Sequence, residues 1–176
     1  MLVNNAGIGG PTAPAEDLAF DDWRTVVDVN LHGTFLVTQG AIPLLKESNA
    51  ASIITMSSLA GRFGYPNRIA YSATKWALVG FAKTLAMELG PFGITSNTVH
   101  PGAVAGDRIT RVLAGRAEAT GQTMDEVKEQ ALENQSIKQF IDPDDIAALV
   151  VFLAGLHGRT ISGQMIPIDG DSKSTQ

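Results

Sequence analysis

Short apolar runs alternate along the chain with longer segments in which apolar residues recur at helical spacing. The short runs have the length of buried strands, whereas the longer segments are typical of amphipathic helices. The predicted strands cover residues 2–4, 52–57, 94–99 and 164–168. The predicted helices cover residues 17–47, as one or two helices with Pro43 as the site of a kink, 69–89 and 144–154, while residues 107–133 are irregular or helical. Strands that alternate with helices predict a parallel sheet.

Tyr71 and Lys75 lie four residues apart within the predicted helix 69–89. In a helix, this spacing places the two side chains one above the other, about 6 Å apart at Cβ. An ammonium beside a phenol favours the phenolate, so we expect the pKa of Tyr71 to fall from about 10 towards the range of a general acid or base. Taken alone, the spacing is more often that of an ordinary amphipathic helix with an exposed Lys and a half-buried Tyr.

Two further polar residues bear on whether Tyr71 and Lys75 form an acid/base pair or belong to an ordinary amphipathic helix. Ser58 follows the predicted strand 52–57, and ligands bind at the carboxyl ends of the strands in open α/β sheets, where a hydroxyl can hold a substrate oxygen. The 13 positions from Ser58 to Tyr71 allow a loop and one helical turn, so these residues and Lys75 can converge. Asn30 lies within a helical pattern although Asn is a poor helix former, which indicates a functional role for its amide.

Six sequence features occur in the order and spacing of the short-chain dehydrogenase/reductase family, which the chain resembles along essentially its whole length. They are Asn4-Asn5-Ala6-Gly7, Asn30, Ser58, the pair Tyr71 and Lys75, Pro101-Gly102, and Ile161-Ser162-Gly163-Gln164 leading to Asp169-Gly170. The resemblance implies an α/β fold with a Rossmann-like, doubly wound parallel sheet. This chain would hold the C-terminal part of that fold, about four strands with flanking helices, corresponding to the family's adjacent strands four to seven.

The resemblance also implies a role for each matching polar residue. Tyr71 would be the acid/base that takes the proton from a substrate alcohol or gives it to a carbonyl as hydride moves. Lys75 would lower the pKa of Tyr71 and hold the ribose hydroxyls of the nicotinamide. Ser58 would orient the substrate oxygen and stabilise its developing charge, and Asn30 would hold a water that links Lys75 to solvent as a proton relay.

By the same resemblance, the cofactor would be NAD or NADP. The residues that would line it are Asn5, Ala6, Gly7, Tyr71, Lys75, Pro101, Gly102 and Val104. Small residues there let the backbone approach the ligand closely. The family's opening strand and Gly-rich turn, where a helix N-terminus holds the pyrophosphate, have no match in this sequence, so we expect the adenine half of the site to be missing. The residue that distinguishes NAD from NADP belongs to that part of the family's fold, so the sequence does not predict the cofactor choice.

A second departure concerns the segment 102–134. Four residues after the Gly of Pro-Gly the family often has Thr, whereas this chain has Gly106, and a neighbouring backbone amide can replace the missing contact. The segment follows a cofactor-facing strand end, where a substrate lid is expected. It carries Arg108, Arg111 and Arg116, of which Arg108 or Arg111 could meet an acidic substrate group, although solvated helix charges are the more frequent case.

Composition limits the class of protein. With 176 residues, of which 44% are hydrophobic, one compact domain that buries about 70% of its unfolded surface is feasible, and we treat 1–176 as a single partial domain with 171–176 as a polar tail. A net charge of −5, with both signs dispersed, argues against nucleic acid or an anionic membrane as partner. No apolar run reaches about 18 residues, no secretory pattern opens the sequence, and Cys is absent, so the expected location is the cytoplasm.

Other polar clusters have ordinary interpretations. Asp142-Pro143-Asp144-Asp145 is typical of a helix start rather than a metal site. The three histidines, His32, His100 and His157, share no ligand spacing, which favours structural or surface roles, so no metal is predicted.

The predicted helix 69–89 is apolar around most of its circumference, more than one sheet-facing side requires. The family resemblance then implies a homodimer or homotetramer that covers the remaining surface. The predicted function is the NAD(P)-dependent interconversion of a small-molecule secondary alcohol and a ketone, with 3-oxoacyl reduction as one candidate within this class. The alternative is a truncated chain without cofactor affinity that acts only as a subunit or interaction partner.

Overall fold

The computed structural model describes residues 1–175, except for the side chains of Arg108, Val112, Arg116 and Ala119. These residues form one four-stranded sheet in which all neighbours are parallel and the spatial order follows the chain. The strands are β1 (Leu2–Asn4), β2 (Ser52–Met56), β3 (Thr95–Pro101) and β4 (Met165–Ile168). In the register of the sheet, Val3 pairs with Ile54, Ile54 with Asn97 and Val99 with Ile166. The predicted order of adjacent parallel strands is confirmed.

Helical segments connect each strand to the next. The first connection contains α1 (Phe20–Val27), a π-helical turn (Asp28–His32) and α2 (Gly33–Lys46). The second contains a 3-10 turn (Leu59–Gly61) and α3 (Ile69–Leu89). The third contains α4 (Asp107–Thr120), α5 (Met124–Ala131) and α6 (Pro143–Ala154).

The apolar core lies on both faces of the sheet because successive residues of a strand point to opposite sides. Ile53 packs with residues of α2 and α3, including Leu45 and Leu85. Ile54, the next residue, packs with Val99 and with Leu153 of α6. Helices therefore cover both faces, as the predicted doubly wound, Rossmann-like fold requires.

Helix boundaries follow local chemistry in most places. Asp142 caps α6 by accepting a hydrogen bond from the Asp144 backbone N–H at 2.9 Å, with Pro143 as the first helical residue, which confirms the predicted helix start. The α-helical pattern in residues 17–47 is interrupted at Asp28–His32, so the segment forms two α-helices, and α2 continues through Pro43, where the kink stays a prediction. A π-helical turn is an irregularity often found at functional sites.

The segment after β3 is more ordered than its mixed sequence pattern indicated. It forms α4 and α5, which share a small apolar cluster of Leu113, Val127 and Ala131 with Phe140 beside it. This cluster is separate from the two clusters that cover the sheet. The region for which a lid is predicted therefore forms a helical pair with an apolar contact of its own, and its role as a lid stays a prediction.

The residues that follow β4 are hydrogen-bonded to the segment after α5. Ser172 is buried and forms an antiparallel bridge with Gln135, and the Lys173 backbone N–H donates to the Asn134 carbonyl at 2.9 Å. The polar composition of residues 171–176 indicates a tail, but pairing of backbone groups holds this part of it against the protein. Gln176 lies outside the described residues. No helix in residues 1–175 combines the length and apolar character needed to cross a bilayer.

Candidate active site

The segments that follow β1 and β2 meet at the carboxyl edge of the sheet, beside the end of β3. A Cβ on Gly7, after β1, would lie 3.2 Å from Asn30 Oδ1 and 3.6 Å from Lys75 Nζ. After β2, the Ser57 backbone N–H donates to the Val99 carbonyl of β3 at 2.8 Å. This edge is where open α/β sheets bind ligands.

The turn that carries Ser58 is fastened to α3 on both sides. Ser57 Oγ donates to the Lys75 carbonyl at 2.9 Å, and Ser72 Oγ donates to the Ala60 carbonyl at 2.9 Å. Ser58 Oγ accepts a hydrogen bond from the Ala60 backbone N–H at 3.2 Å, which caps the 3-10 turn. Ser58 is thus held against the helix that carries Tyr71 and Lys75, although the sequence did not single out Ser57 or Ser72.

The side chain of Lys75 is buried, with 5% of its surface exposed. Its ammonium donates to the Met56 carbonyl at the end of β2 at 2.8 Å, and lies 5.5 Å from the centre of the Tyr71 ring. The ammonium therefore lies near the Tyr71 ring, and its pairing with the phenol hydroxyl stays a prediction. Burial keeps solvent from screening this charge.

Asn30 is fully buried in the π-helical turn, and its amide is bonded within the protein. Its Oδ1 accepts from the Ile8 backbone N–H at 2.8 Å, and its Nδ2 donates to the Ile8 carbonyl at 3.0 Å and to Thr74 Oγ1 at 3.1 Å. The amide therefore fixes the loop after β1 next to α3, which explains a polar residue inside a helical segment. The water relay that the resemblance implies for Asn30 stays a prediction.

His100 of β3 is a buried polar residue of this site that the sequence placed only in a general structural role. Its Nδ1 donates to the Ser58 carbonyl at 3.0 Å, because a carbonyl can only accept, and its Nε2 contacts Thr98 Oγ1 at 2.8 Å. Burial lowers the pKa of His100 below 6.5, and the charges of Arg62 and Lys75 add to this lowering, whereas the hydrogen bond to Ser58 and the charge of Asp169 oppose it. The neutral ring thus supports the Ser58 turn from the sheet side.

We expect acid to destabilise the fold through His100. Because its pKa is lower in the folded chain than in the unfolded chain, stability present above pH ~6.5 is lost as the pH falls through the folded-state pKa, by about 1.4 kcal/mol per unit of lowering. Denaturant unfolding between pH 7.5 and 5 measures this loss. In His100→Asn, whose amide can still donate to Ser58, the loss should shrink.

The control for that measurement is His157→Asn, because His157 is exposed and should leave the pH dependence as it is in the parent chain. Equal pH dependence in His100→Asn and the parent would contradict the role given to His100.

An ion pair ties the Ser58 turn to the end of β4. Arg62, four residues after Ser58, donates to the carboxylate of Asp169, which is buried. Asp169 also lies against Gly102, where an added Cβ would come within 2.9 Å of the Asp169 Cα. Gly102 and Asp169 therefore pack so closely that any larger residue at 102 would displace the strand end.

The remaining predicted positions lie around the same edge. Asn5, Ala6 and Gly7 are exposed after β1, and Pro101, Gly102 and Val104 are half-buried after β3, with Val104 bridged to Ile141. Gly106 has φ 139°, a conformation that residues with a Cβ rarely adopt, which accounts for Gly where the family often has Thr. The side chains of Arg108 and Arg116 lie outside the described residues, and Arg111 is exposed.

The doubly wound parallel sheet defines a Rossmann-like α/β protein, and a hydroxyl, a phenol and a buried ammonium lie at the edge where such sheets bind ligands. Residues 1–170 match the protein-family model described as enoyl-(acyl carrier protein) reductase. The chain belongs to the short-chain dehydrogenase/reductase family.

Individual proteins show the same similarity. The chain is 37% identical over 170 residues to a trans-4-hydroxycyclohexanecarboxylate dehydrogenase of Sinomonas cyclohexanicum, covering 97% of this chain and 59% of that protein. A short chain dehydrogenase family protein from Francisella tularensis subsp. tularensis SCHU S4 superposes with a TM-score of 0.87 and 30% identity, over 96% of this chain and 68% of that one. An NAD+-bound xylitol dehydrogenase has a TM-score of 0.86 and 29% identity, over 96% and 67% of the two chains. The chain spans 59% to 66% of the length of the curated relatives it matches.

Proposed function

We propose that this chain carries the catalytic residues of an NAD(P)-dependent oxidoreductase that interconverts a secondary alcohol and a ketone. The observation that supports this most is the buried ammonium of Lys75, held 5.5 Å from the centre of the Tyr71 ring. A buried charge beside a titratable group at a ligand-binding edge is typical of an acid/base site. Membership of a family whose similar proteins are named dehydrogenases and reductases supports the same reaction class.

In the oxidation direction, Tyr71 takes the proton of the substrate hydroxyl while the hydrogen on the carbinol carbon leaves with its electron pair, and the C=O bond forms. A bound nicotinamide would supply the acceptor for that hydride and, in its reduced form, the hydride donor for the reverse reaction. Lys75 stabilises the phenolate form of Tyr71 by its charge, and Ser58 holds the substrate oxygen as its charge changes. In reduction, Tyr71 gives the proton to the carbonyl oxygen.

The residues around this edge fit a flat ligand that approaches the backbone. Gly7 lies within contact distance of Lys75 and Asn30, and Gly102 packs directly against Asp169, so side chains at either position would fill the edge. We propose that Asn5, Ala6 and Gly7 on one side, and Pro101, Gly102 and Val104 on the other, hold NAD or NADP with Tyr71 and Lys75. We assign all of these positions to the nicotinamide half of the cofactor, which they would hold.

We therefore expect the 176-residue chain to bind NADH and NADPH weakly, with dissociation constants above about 10 μM. A dissociation constant of 10 μM corresponds to a binding free energy of about −7 kcal/mol. Reduced nicotinamide mononucleotide should bind within a few-fold of NADH, because the residues above are assigned only to that half, and Lys75→Met should weaken binding of both. Titration calorimetry measures these constants.

A dissociation constant for NADH below about 10 μM would contradict the expectation that only the nicotinamide half is held. If neither NADH nor the mononucleotide binds at millimolar concentration and no hydride transfer to secondary alcohols or ketones is detected, the chain is instead a cofactor-free subunit, and the proposal fails.

We also propose that the chain forms a homodimer or homotetramer. Several large apolar side chains of α2 and α3 are exposed, among them Leu36, Leu44 and Met87, which is 82% exposed. A second apolar group lies on α6 and just after it, where Val151 and Leu156 are exposed. Two apolar surfaces on separate sides of a chain favour two self-complementary interfaces.

Sedimentation should show a dimer or tetramer at micromolar concentration, and Met87→Lys should shift it towards monomer because a charge would be buried in the interface. Met124→Lys is the matched control, since Met124 is an exposed methionine on α5, outside both apolar groups. A stable monomer for the parent chain, or equal shifts for the two variants, would contradict this interface.

The proposal includes a small-molecule alcohol or ketone as substrate, of which a 3-oxoacyl compound is one candidate. We also propose that the protein works in the cytoplasm and that neither nucleic acid nor a membrane is its partner, because its net charge is −5 with both signs dispersed and no apolar run reaches about 18 residues.

A further inference from the structure

Arg68 lies at the start of α3, three residues before Tyr71, and its guanidinium sits beside two aromatic rings. Its Cζ is 5.8 Å from the centre of the Tyr71 ring and 5.8 Å from the centre of the Tyr65 ring. One terminal nitrogen, Nη1, donates to Thr12 Oγ1 at 2.8 Å. Thr12 belongs to the loop that follows β1, so Arg68 lies where this loop meets the start of the helix that carries the predicted acid/base.

The Nε–H of Arg68 is buried and has no hydrogen-bond partner in residues 1–175. Arg68 also forms no ion pair with a described carboxylate, whereas Arg62 pairs with Asp169 and Arg24 with Asp21. Buried donors are nearly always bonded in native structures, so an exception calls for a partner such as a ligand or an ion. At a predicted active site, that partner is best sought in the substrate.

The chemistry of the guanidinium narrows the choice of partner. The guanidinium is planar and always charged, and its N–H groups can form two parallel hydrogen bonds to one carboxylate. A neutral acceptor lacks the opposite charge that strengthens such a pair. With Nη1 bonded to Thr12, the edge that contains Nε is the part left for such a ligand. The aromatic rings on which the guanidinium rests keep it in place.

We propose that Arg68 binds a carboxylate of the substrate, so that the substrate is a hydroxy acid in the oxidation direction and an oxo acid in the reduction direction. This inference rests on the proposed function of Tyr71, and it adds the chemical class of the substrate. Arg68 precedes Tyr71 by less than one helical turn, which places the carboxylate a few bonds from the reacting carbinol rather than at the end of a long chain.

The test compares 3-hydroxypentanoate with its uncharged amide, 3-hydroxypentanamide, which has the same carbinol and carbon chain. Titration is followed by the ¹⁵N–¹H signal of the Arg68 Nε–H group, assigned by its loss in Arg68→Lys, and needs no turnover. We expect the acid to shift this signal and to bind at least about tenfold more tightly than the amide, as a charge-assisted pair requires.

Two variants test whether Arg68 is the residue that distinguishes the acid from the amide. Arg68→Gln should weaken binding of the acid about tenfold and leave binding of the amide unchanged, while Arg159→Gln, which removes an exposed arginine elsewhere, should change neither. Equal affinity of acid and amide in the parent chain, or no change of the Nε–H signal, would overturn the inference. Because the affinities of acid and amide are compared in the parent chain, poor folding of a variant does not obscure that comparison.

A phosphate of the cofactor is the other anion that a guanidinium at this edge could meet. If Arg68→Gln weakens binding of reduced nicotinamide mononucleotide and leaves binding of 3-hydroxypentanoate unchanged, the carboxylate assignment is wrong. Failure of hydride transfer with preserved, Arg68-dependent binding of the acid would instead refute the proposed function and retain the anion site.

Discussion

Replacing Tyr71 by Phe should lower turnover by roughly 10²–10⁴-fold while leaving the fold intact, because it removes only the hydroxyl assigned to proton transfer. The ring, which contacts Arg68 and Lys75, stays in place. Turnover is measured in the chain joined to the amino-terminal nucleotide-binding segment of a family member, so that cofactor affinity does not limit the rate. Tyr65→Phe, which removes the hydroxyl of the other tyrosine, is the control and should stay within about threefold of the parent.

The neighbouring residues should respond differently. Lys75→Met should reduce turnover and move the acidic limb of the pH–rate profile upward, because the phenolate costs more to form without the ammonium. Ser58→Ala should slow turnover with less change in that limb, since Ser58 is assigned to orientation and charge stabilisation. If Tyr71→Phe left turnover within about threefold of the parent, Tyr71 would be a packed helix residue and the proposed mechanism would be wrong.

Gly61→Ala should destabilise the fold by about 1–3 kcal/mol, the usual cost of overpacking. A Cβ at Gly61 would lie 2.3 Å from Ser57 Oγ and 2.8 Å from the Lys75 carbonyl, the two atoms that join the Ser58 turn to α3. The turn must then move away from the helix, so turnover should fall together with stability. Denaturant unfolding and the turnover assay measure the two effects.

Gly64→Ala is the matched control, because Gly64 follows the same turn and an added Cβ would meet nothing within 4 Å. It should change the free energy of unfolding by less than about 0.5 kcal/mol, as surface substitutions usually do. Equal stability of the two variants would show that the Ser58 turn does not depend on its close approach to α3.

The alternation of apolar runs predicted the parallel sheet because each strand must be buried on both faces and each connection must return across one of them. Helix α3 was predicted at its observed boundaries, Ile69–Leu89. The π-helical turn at Asp28–His32 was not predicted, since it depends on Asn30, whose amide must reach Ile8 and Thr74. These partners come together only in the folded chain.

Several residues of the site were beyond prediction because their partners are remote in sequence. His100 supports Ser58 across 42 positions, Arg62 pairs with Asp169 across 107, and Arg68 bonds to Thr12 across 56. Each of these side chains has an ordinary surface or structural interpretation when its sequence neighbours alone are considered. The only sequence signal near Arg68 was its distance of three residues from Tyr71.

The sequence by itself determined the order of strands and helices, the pairing of Tyr71 with Lys75 and the position of Ser58 at a strand end. These follow from periodicity and spacing, which act over a few residues. Only the tertiary structure decided that Lys75 is buried, that His100 and Ser57 hold the Ser58 turn, and that the Nε of Arg68 has no hydrogen-bond partner within the described part of the chain. Burial and hydrogen-bond satisfaction depend on which distant segments pack together, and no local pattern encodes that choice.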